Sequence, residues 1–299
     1  MKIGNNQNIQ AELSRINREL ELLKLNQAVT HFSSLSYTGD SFADRHEYRV
    51  FSQSGDDGII QFLINRIPSP NKTFIEFGVE DFTEANCRFL MMYSNWSGFV
   101  VDGSQSQVEK IVNHPDFWRY DLRATQSMIT AENVNAVLDK SGFAGKLGIL
   151  SIDIDGMDYW VLDRIELQPE ILIVEYNSVF GADRAITVPY RADFVRTKAH
   201  HSNLYFGASL AAITELATKK GFAFVGCNSI GSNAFFVRDD MLAPSKLRRL
   251  EVIDAFVESK FRESRNEHGS LTLLRAQERM REISGLPVFN TRTGELEPL

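Results

Sequence analysis

Cysteine is scarce. The 299 residues hold two, Cys87 and Cys227, far apart and each in an apolar setting. That opposes a disulfide scaffold or a cysteine-held metal and suits a reduced, cytoplasmic chain. A basic excess is missing too, with 32 Lys and Arg against 39 Asp and Glu and a net charge of -7. Binding along nucleic acid needs the opposite balance, so no nucleic-acid partner is expected. No apolar run reaches the length of a membrane span, and the polar residues 1–10 lack signal-peptide character. The dinucleotide fingerprint G-x-G-x-x-G is absent, as are internal repeats and low-complexity tracts. What remains, 43% hydrophobic and 24% charged residues, is ordinary for a globular chain of one large domain with appendages or two small ones.

The informative stretch is 72–86, KTFIEFGVEDFTEAN. The apolar Phe74-Ile75 is followed by an acid, Glu76, then by Gly78, then from Thr83 by helical spacing (Ala85, Phe89, Leu90, Tyr93). A strand turning through glycine into a helix is the first βα unit of an open α/β sheet, and ligands bind at the carboxyl ends of such strands. Gly78, without a Cβ, allows close backbone approach to a ligand. The next apolar run, SGFVVDGS at 97–104, ends in Asp102, whose carboxylate can accept both hydroxyls of a ribose. NAD and S-adenosylmethionine (SAM) both present a ribose there. An acid two residues before a single glycine suits a cofactor with an ammonium group and no pyrophosphate, which points to SAM. A helix cap plus a buried acid in an ordinary α/β protein gives the same loop.

Further apolar runs lie at 121–129, 145–155 and 169–177, with a helical pattern at 130–138 after Thr130. Near-continuous apolar strands separated by helices indicate a mostly parallel sheet covered on both faces. Residues 222–228 and 234–238, joined by a Gly- and Asn-rich turn, read as an antiparallel edge hairpin. Residues 59–67 read as a helix, with Ser54, Asp56 and Asp57 at its start.

The fourth and fifth strands deliver acids to one rim: Asp153, Asp155 and Asp158 in SIDIDGMDYW, and Glu175 with Asn177 in VEYN. Residues i and i+2 share a strand face, so Asp153 pairs with Asp155 and Glu175 with Asn177. Such oxygen donors repel one another unless protons or cations intervene, and they suit Mg²⁺ or Mn²⁺ as a metal set of Asp153, Asp155, Glu175 and Asn177. Some of these acids also serve as helix caps. For proton removal the candidates are Asp158, His200 and His201, the histidines being equally readable as loop residues. Arg184 and Arg191 either bind an anionic part of a ligand or lie on the surface.

Together SQSGDDG, EFGVED, VVDGS, SIDIDGMDYW and VEYN, spanning roughly 50–240, resemble the FkbM-like class of SAM-dependent O-methyltransferases. The resemblance implies a class I methyltransferase sheet and methyl transfer to a hydroxyl of a sugar or glycan acceptor. It also implies a cofactor site drawn from Gln53, Ser54, Glu76, Gly78, Asp102, Gly103 and Asp153. The rim acids are similar to those of metal-dependent sugar and catechol O-methyltransferases. Tyr176 intervenes between Glu175 and Asn177, however, and Val79-Glu80-Asp81 replaces the usual glycines. A non-catalytic SAM- or nucleotide-binding protein and an NAD-dependent sugar-modifying enzyme remain as alternatives.

Three segments are expected: an N-terminal helix within 1–30, the SAM-binding unit at 45–240, and a C-terminal helical cap or oligomer contact at 244–299. Ile9, Leu13, Ile16, Leu20 and Leu23 alternate steps of four and three among charged residues, a heptad seam. Such a helix either docks on its own chain or pairs with a second subunit, giving a homo-oligomer. Residues 30–47 read as loop, 246–265 and 271–283 as amphipathic helices, and 284–299 as aperiodic.

Overall fold

The apolar runs become strands because helices cover both faces of the sheet that they form. A computed structural model describes residues 2–37, 46–143 and 145–299. Helices α1 (Lys2–Ser34) and α2 (Asp56–Arg66) come first. Strands and helices then alternate: β1 (Thr73–Phe77), α3 (Arg88–Ser94), β2 (Ser97–Asp102), α4 (Gln105–Val112), β3 (Leu122–Gln126), α5 (Val134–Asp139), β4 (Ile149–Ile152), α6 (Asp158–Arg164) and β5 (Ile171–Glu175). Strand β6 (Ile186–Thr187), α7 (Arg196–Ala199) and α8 (Leu210–Lys219) lead to the hairpin β7 (Phe222–Cys227) and β8 (Asn233–Arg238). Helices α9 (Asp239–Ser245), α10 (Val252–Ala255) and α11 (Ala276–Glu282) and strands β9 (Pro287–Asn290) and β10 (Glu295–Pro298) complete the chain.

The main sheet runs β3-β2-β1-β4-β5-β8-β7. Its first five strands are parallel, and β8 is antiparallel to both β5 and β7. Strand periodicity divides the core in two. Ile75, Phe77, Phe99, Val101 and Leu150 face α5, α6 and α8. Phe74, Val100, Ile149, Ile171 and Ile173 face α2, α3 and α4. Each such side chain contributes roughly 1.5–3 kcal/mol when fully buried. Cys87 and Cys227 are free and buried. Among the described residues no helix is long and apolar enough to cross a membrane.

Several local expectations need correction. The acids opening α2 do more than complement its positive end. Asp57 Oδ2 accepts hydrogen bonds from the amides of Val50, Phe51 and Ser52 and from the Ser52 hydroxyl, at 2.6–3.0 Å. Asp56 accepts from the side-chain amides of Asn228 and Asn233 at 3.0 and 2.9 Å, tying α2 to the edge hairpin. The cap itself is Gly55, without a side-chain bond. Helix α3 starts at Arg88, because the 83–87 backbone is drawn toward Glu76. Helix α1 persists through the start of the expected 30–47 loop, whose residues 38–45 lie outside the described residues.

The 246–265 stretch keeps its apolar spacing but forms only the one turn of α10. Its backbone groups bond elsewhere: Leu250 N–H to Phe224 O at 2.9 Å, Ser259 N–H to Ser178 Oγ at 2.8 Å, and Lys260 N–H to Ile230 O at 2.9 Å. Tertiary partners have outcompeted helix formation. Helix α11 is likewise shorter than the 271–283 pattern, and the aperiodic 284–299 segment folds as the β9–β10 hairpin on β6.

The C-terminal end of α1 docks through Ala28 and Phe32 onto Val50, Phe51 and Phe89. Glu21 pairs with Arg88 at 2.9 Å. The heptad seam from Ile9 to Leu23 does not dock on the chain; its five residues are 43–63% exposed.

Gly78 has φ +76°, and a Cβ added there would lie 1.6 Å from the Asp153 carbonyl oxygen. Its close approach is thus to β4's own backbone. Gly221 has φ +86° with open space around an added Cβ. Gly221→Ala should lose only the left-handed strain, about 1–2 kcal/mol. Gly78→Ala should lose clearly more, read as the shift in urea midpoint. Equal losses would show that the β1–β4 contact yields easily.

Candidate active site

A cavity of ≈ 450 Å³ opens at the carboxyl ends of β1, β2, β4 and β5. Parallel packing brings these ends together, so acids spread over a hundred residues of sequence meet in one place. The first end of the cavity is set by β1 and β2. Glu76 is 5% exposed and accepts the amides of Asn86 and Cys87 at 2.7 and 3.0 Å. Burial pushes its carboxyl up to about 7. Asp102 is half-buried; Oδ2 accepts from Glu80 N–H at 2.8 Å and Oδ1 from Ser104 N–H at 2.7 Å. One lone pair per oxygen stays available, enough for two hydroxyl donors from a ligand. Gln53 stands on the rim, and Gly78 leaves the wall free of side chain between Glu76 and Asp153. Ser54 and Gly103 do not line the cavity. Position 103 is kept small by Met128, whose sulfur would lie 2.5 Å from an added Cβ.

The second end is set by β4 and β5. Asp153 and Glu175 are half-buried and stand together on the cavity wall, close enough to influence each other's ionisation. Glu175 Oε2 is buried without a partner. Burial, then the neighbouring acids, raise the pKa of Asp153 to about 8 and hold that of Glu175 well above the carboxylate range. Asp155 turns out of the strand at φ +56° and pairs with Arg196 Nη1 at 2.7 Å. Arg196 also donates from Nε to Asn203 O at 3.0 Å and stacks 3.7 Å above the Phe206 ring. The positive charge beside the rim acids is therefore a guanidinium.

This geometry overturns part of the sequence reading. Asn177 cannot serve as a metal ligand, because its amide donates to the carbonyls of Leu204 and Phe206 at 2.9 Å and accepts from Val179 N–H at 3.0 Å. With Asp155 paired to Arg196, the four-residue metal set is not assembled. Among the described residues no group of three or more His, Cys, Asp or Glu is placed to hold a metal ion. The three base candidates also lie off the cavity wall. Asp158 is fully buried and accepts from the amides of Ile154 and Gly156 at 2.9 and 3.0 Å, which shapes the turn after β4. His200 bonds Ser202 Oγ at 2.8 Å and His201 bonds Glu282 at 3.0 Å. Arg184 pairs with Glu297, and Arg191 with Asp193, both away from the cavity.

Two cationic wall residues, Arg196 and Arg279, and two aromatic ones, Phe206 and Phe261, escaped the sequence reading. Arg196 sits four residues before the histidine pair, in a segment whose only sequence signal was those histidines. Arg279 belongs to a segment with no motif. Only the folding of 259–279 against β5 brings it in.

The strand order with its single antiparallel strand β8 defines the Rossmann-like, class I methyltransferase type of sheet, with the cavity where that sheet carries ligands. No family model matches the chain, and a search of curated proteins finds no match. Among solved structures, the N-terminal domain of EvdMO1 with SAH bound aligns at a TM-score of 0.41 and 8% identity, over 74% of this chain and 94% of that one. The same domain in the presence of SAH and D-fucose gives 0.42 and 9%, over 74% and 96%. An S-adenosylmethionine-dependent methyltransferase from Clostridium acetobutylicum gives 0.39 and 11%, over 61% and 90%. At these scores the likeness carries no argument about activity, and the fold rests on strand order.

A carboxyl whose folded pKa is raised binds its proton more tightly when folded. Its stabilisation is complete below the ordinary carboxyl range near about 4 and is lost as pH rises through the folded value. The Asp153–Glu175 pair should thus weaken the fold as pH climbs from about 5 to about 8. Asp153→Asn should flatten that part of the stability curve, measured by urea unfolding at each pH. Parallel curves for the variant and the parent would show that the pair holds no such proton.

Proposed function

We propose that this protein is a SAM-dependent O-methyltransferase acting on a hydroxyl of a sugar or glycan-like acceptor. One observation carries the reading. On this sheet type, Asp102 at the tip of β2 and two acids with raised pKa, Asp153 and Glu175, at the tips of β4 and β5 face one cavity. The residues present fit SAM: Asp102 has acceptor capacity for two ribose hydroxyls, Glu76 is an acid near the ammonium position, and no second glycine prepares a pyrophosphate cradle. When bound, SAM supplies an electrophilic methyl group.

The chain's own part is orientation and proton handling. In-line displacement needs the acceptor oxygen aligned and relieved of its proton. Once ionised, Asp153 is a base in place at the cavity wall, its pKa raised to about 8 by burial and the neighbouring acids, and it becomes neutral on taking the hydroxyl proton. Arg196 steadies the carboxylate's negative charge before the proton arrives. The same wall residues hold the acceptor against Phe206 and Tyr176. No step requires a metal. Residues 45–240 then form the cofactor unit, and 244–299 cover its acceptor side.

Calorimetry with S-adenosylhomocysteine (SAH) and with NAD tests the reading. SAH should bind and NAD should not, and Asp102→Ala should weaken SAH by about tenfold to a hundredfold, the effect of losing charge-assisted hydrogen bonds. Binding of NAD alone would make the protein a dinucleotide enzyme. Unchanged SAH affinity in folded Asp102→Ala would remove that residue from the site.

We also infer that a second copy of this chain covers the exposed seam of α1, since its apolar positions follow a heptad with charged flanks. Removing residues 1–28 should lower the particle mass measured by light scattering. The same number of chains per particle before and after would leave the seam without that role.

A further inference from the structure

The acceptor end of the cavity contains a cation that the chain does not neutralise. Arg279, on α11, is 6% exposed and lines the cavity. Its Nε–H is buried without a hydrogen-bond partner, and among the described residues it forms no ion pair. Burying a guanidinium is costly unless a counter-charge and acceptors meet it. Arg196 and Arg262 lie within electrostatic reach and add to that cost; burial is the largest influence holding Arg279's pKa below its ordinary value. A guanidinium nevertheless stays charged in a protein.

Among the described residues none of the cavity acids forms an ion pair with Arg279. Glu263, on the same wall, accepts from Asn203 Nδ2 and from Arg265 Nε, both at 3.2 Å. Glu258 attracts Arg279 but is exposed to solvent. Asp155 is paired with Arg196. An anion entering the cavity would supply the counter-charge and acceptors that Arg279 lacks.

We propose that Arg279, seconded by Arg196, is a specificity-determining subsite for a carboxylate on the acceptor, which makes the acceptor class a sugar acid. The inference rests on reading this cavity as the methyl-acceptor site. A carboxylate fits the planar donor fork of arginine in bidentate fashion. A phosphate would fit the fork too, but its second charge would face Asp153, Asp155 and Glu175 across the same cavity. The carboxylate of SAM itself is a poor match, because its end of the cofactor belongs beside Glu76 and Gly78, at the other end of the cavity.

The test titrates the full chain, loaded with SAH, with D-glucuronate, D-glucose and D-glucose 6-phosphate by calorimetry. Glucuronate should bind at least about tenfold more tightly than glucose, the effect of a charge-assisted bond. Arg279→Gln should remove that advantage while SAH affinity stays as in the parent, and Arg279→Lys should keep part of it. If Arg279→Gln does not fold, the Arg279→Lys variant and the three-ligand comparison on the parent still decide. Equal or undetectable binding of glucuronate and glucose overturns the subsite, and tighter binding of glucose 6-phosphate overturns the carboxylate. Loss of SAH affinity in Arg279→Gln would assign the arginine to the cofactor instead. Should SAH not bind the parent at all, the methyl-transfer reading fails separately, and glucuronate against glucose on the unloaded chain still reads the arginine.

Discussion

At the centre of the sheet the backbone leaving β1 passes so close to the end of β4 that position 78 has no room for a side chain. The Asp153 carbonyl occupies the place where a Cβ would sit. This contact locks the first loop to the fourth strand. It carries Glu76 and the turn to Asn86 on one side, and the Asp153 side chain on the other. The spacing between the two ends of the cavity follows from it. Gly78 looks in sequence like a ligand-binding glycine, and its first duty is to the protein's own backbone.

Around that contact the molecule gathers buried acids that cannot all be ionised. Glu76 is held by two backbone amides, Asp57 by three amides and a hydroxyl, and Asp56 by two asparagines. These bonds tie helix starts and loops together, and Glu76 faces the cavity as well. Asp153 and Glu175 differ, because they meet neighbouring acids and the charge of Arg196 in place of backbone donors. Perturbed carboxyls facing a cavity, beside others that only brace loops, separate chemistry from scaffolding.

The C-terminal segment completes the site through backbone bonding more than through secondary structure. Tyr176, between the two rim residues of β5, donates to Val257 O at 2.7 Å. Gly231 admits the same strand of chain, since a Cβ there would lie 2.5 Å from that carbonyl. This lacing places Ser259, Phe261 and Glu263 on the cavity wall and brings α11, with Arg279, alongside the turn after β5. The two ends of the cavity are thus built from different stretches of the chain.

Much of the sheet was legible in the sequence. The runs around Phe74, Val100, Leu150 and Ile173 are long enough in apolar residues to be buried on both faces, and the Gly–Asn turn at 229–233 marks an edge hairpin; periodicity and turn chemistry are local, so the chain states them directly. The acids at 76, 102, 153 and 175 could be placed at strand ends for the same reason. Their partners could not be read, because a hydrogen bond from Asn177 to Leu204 O or an ion pair from Asp155 to Arg196 depends on which segments meet. The apolar spacing at 246–265 suggested a helix, and the edge of β7 and the turn after β5 took its backbone bonds instead. Arg279 had no local signal at all. Its burial beside an acid-lined cavity is a product of packing, and packing is set by contacts between residues that the sequence holds a hundred positions apart.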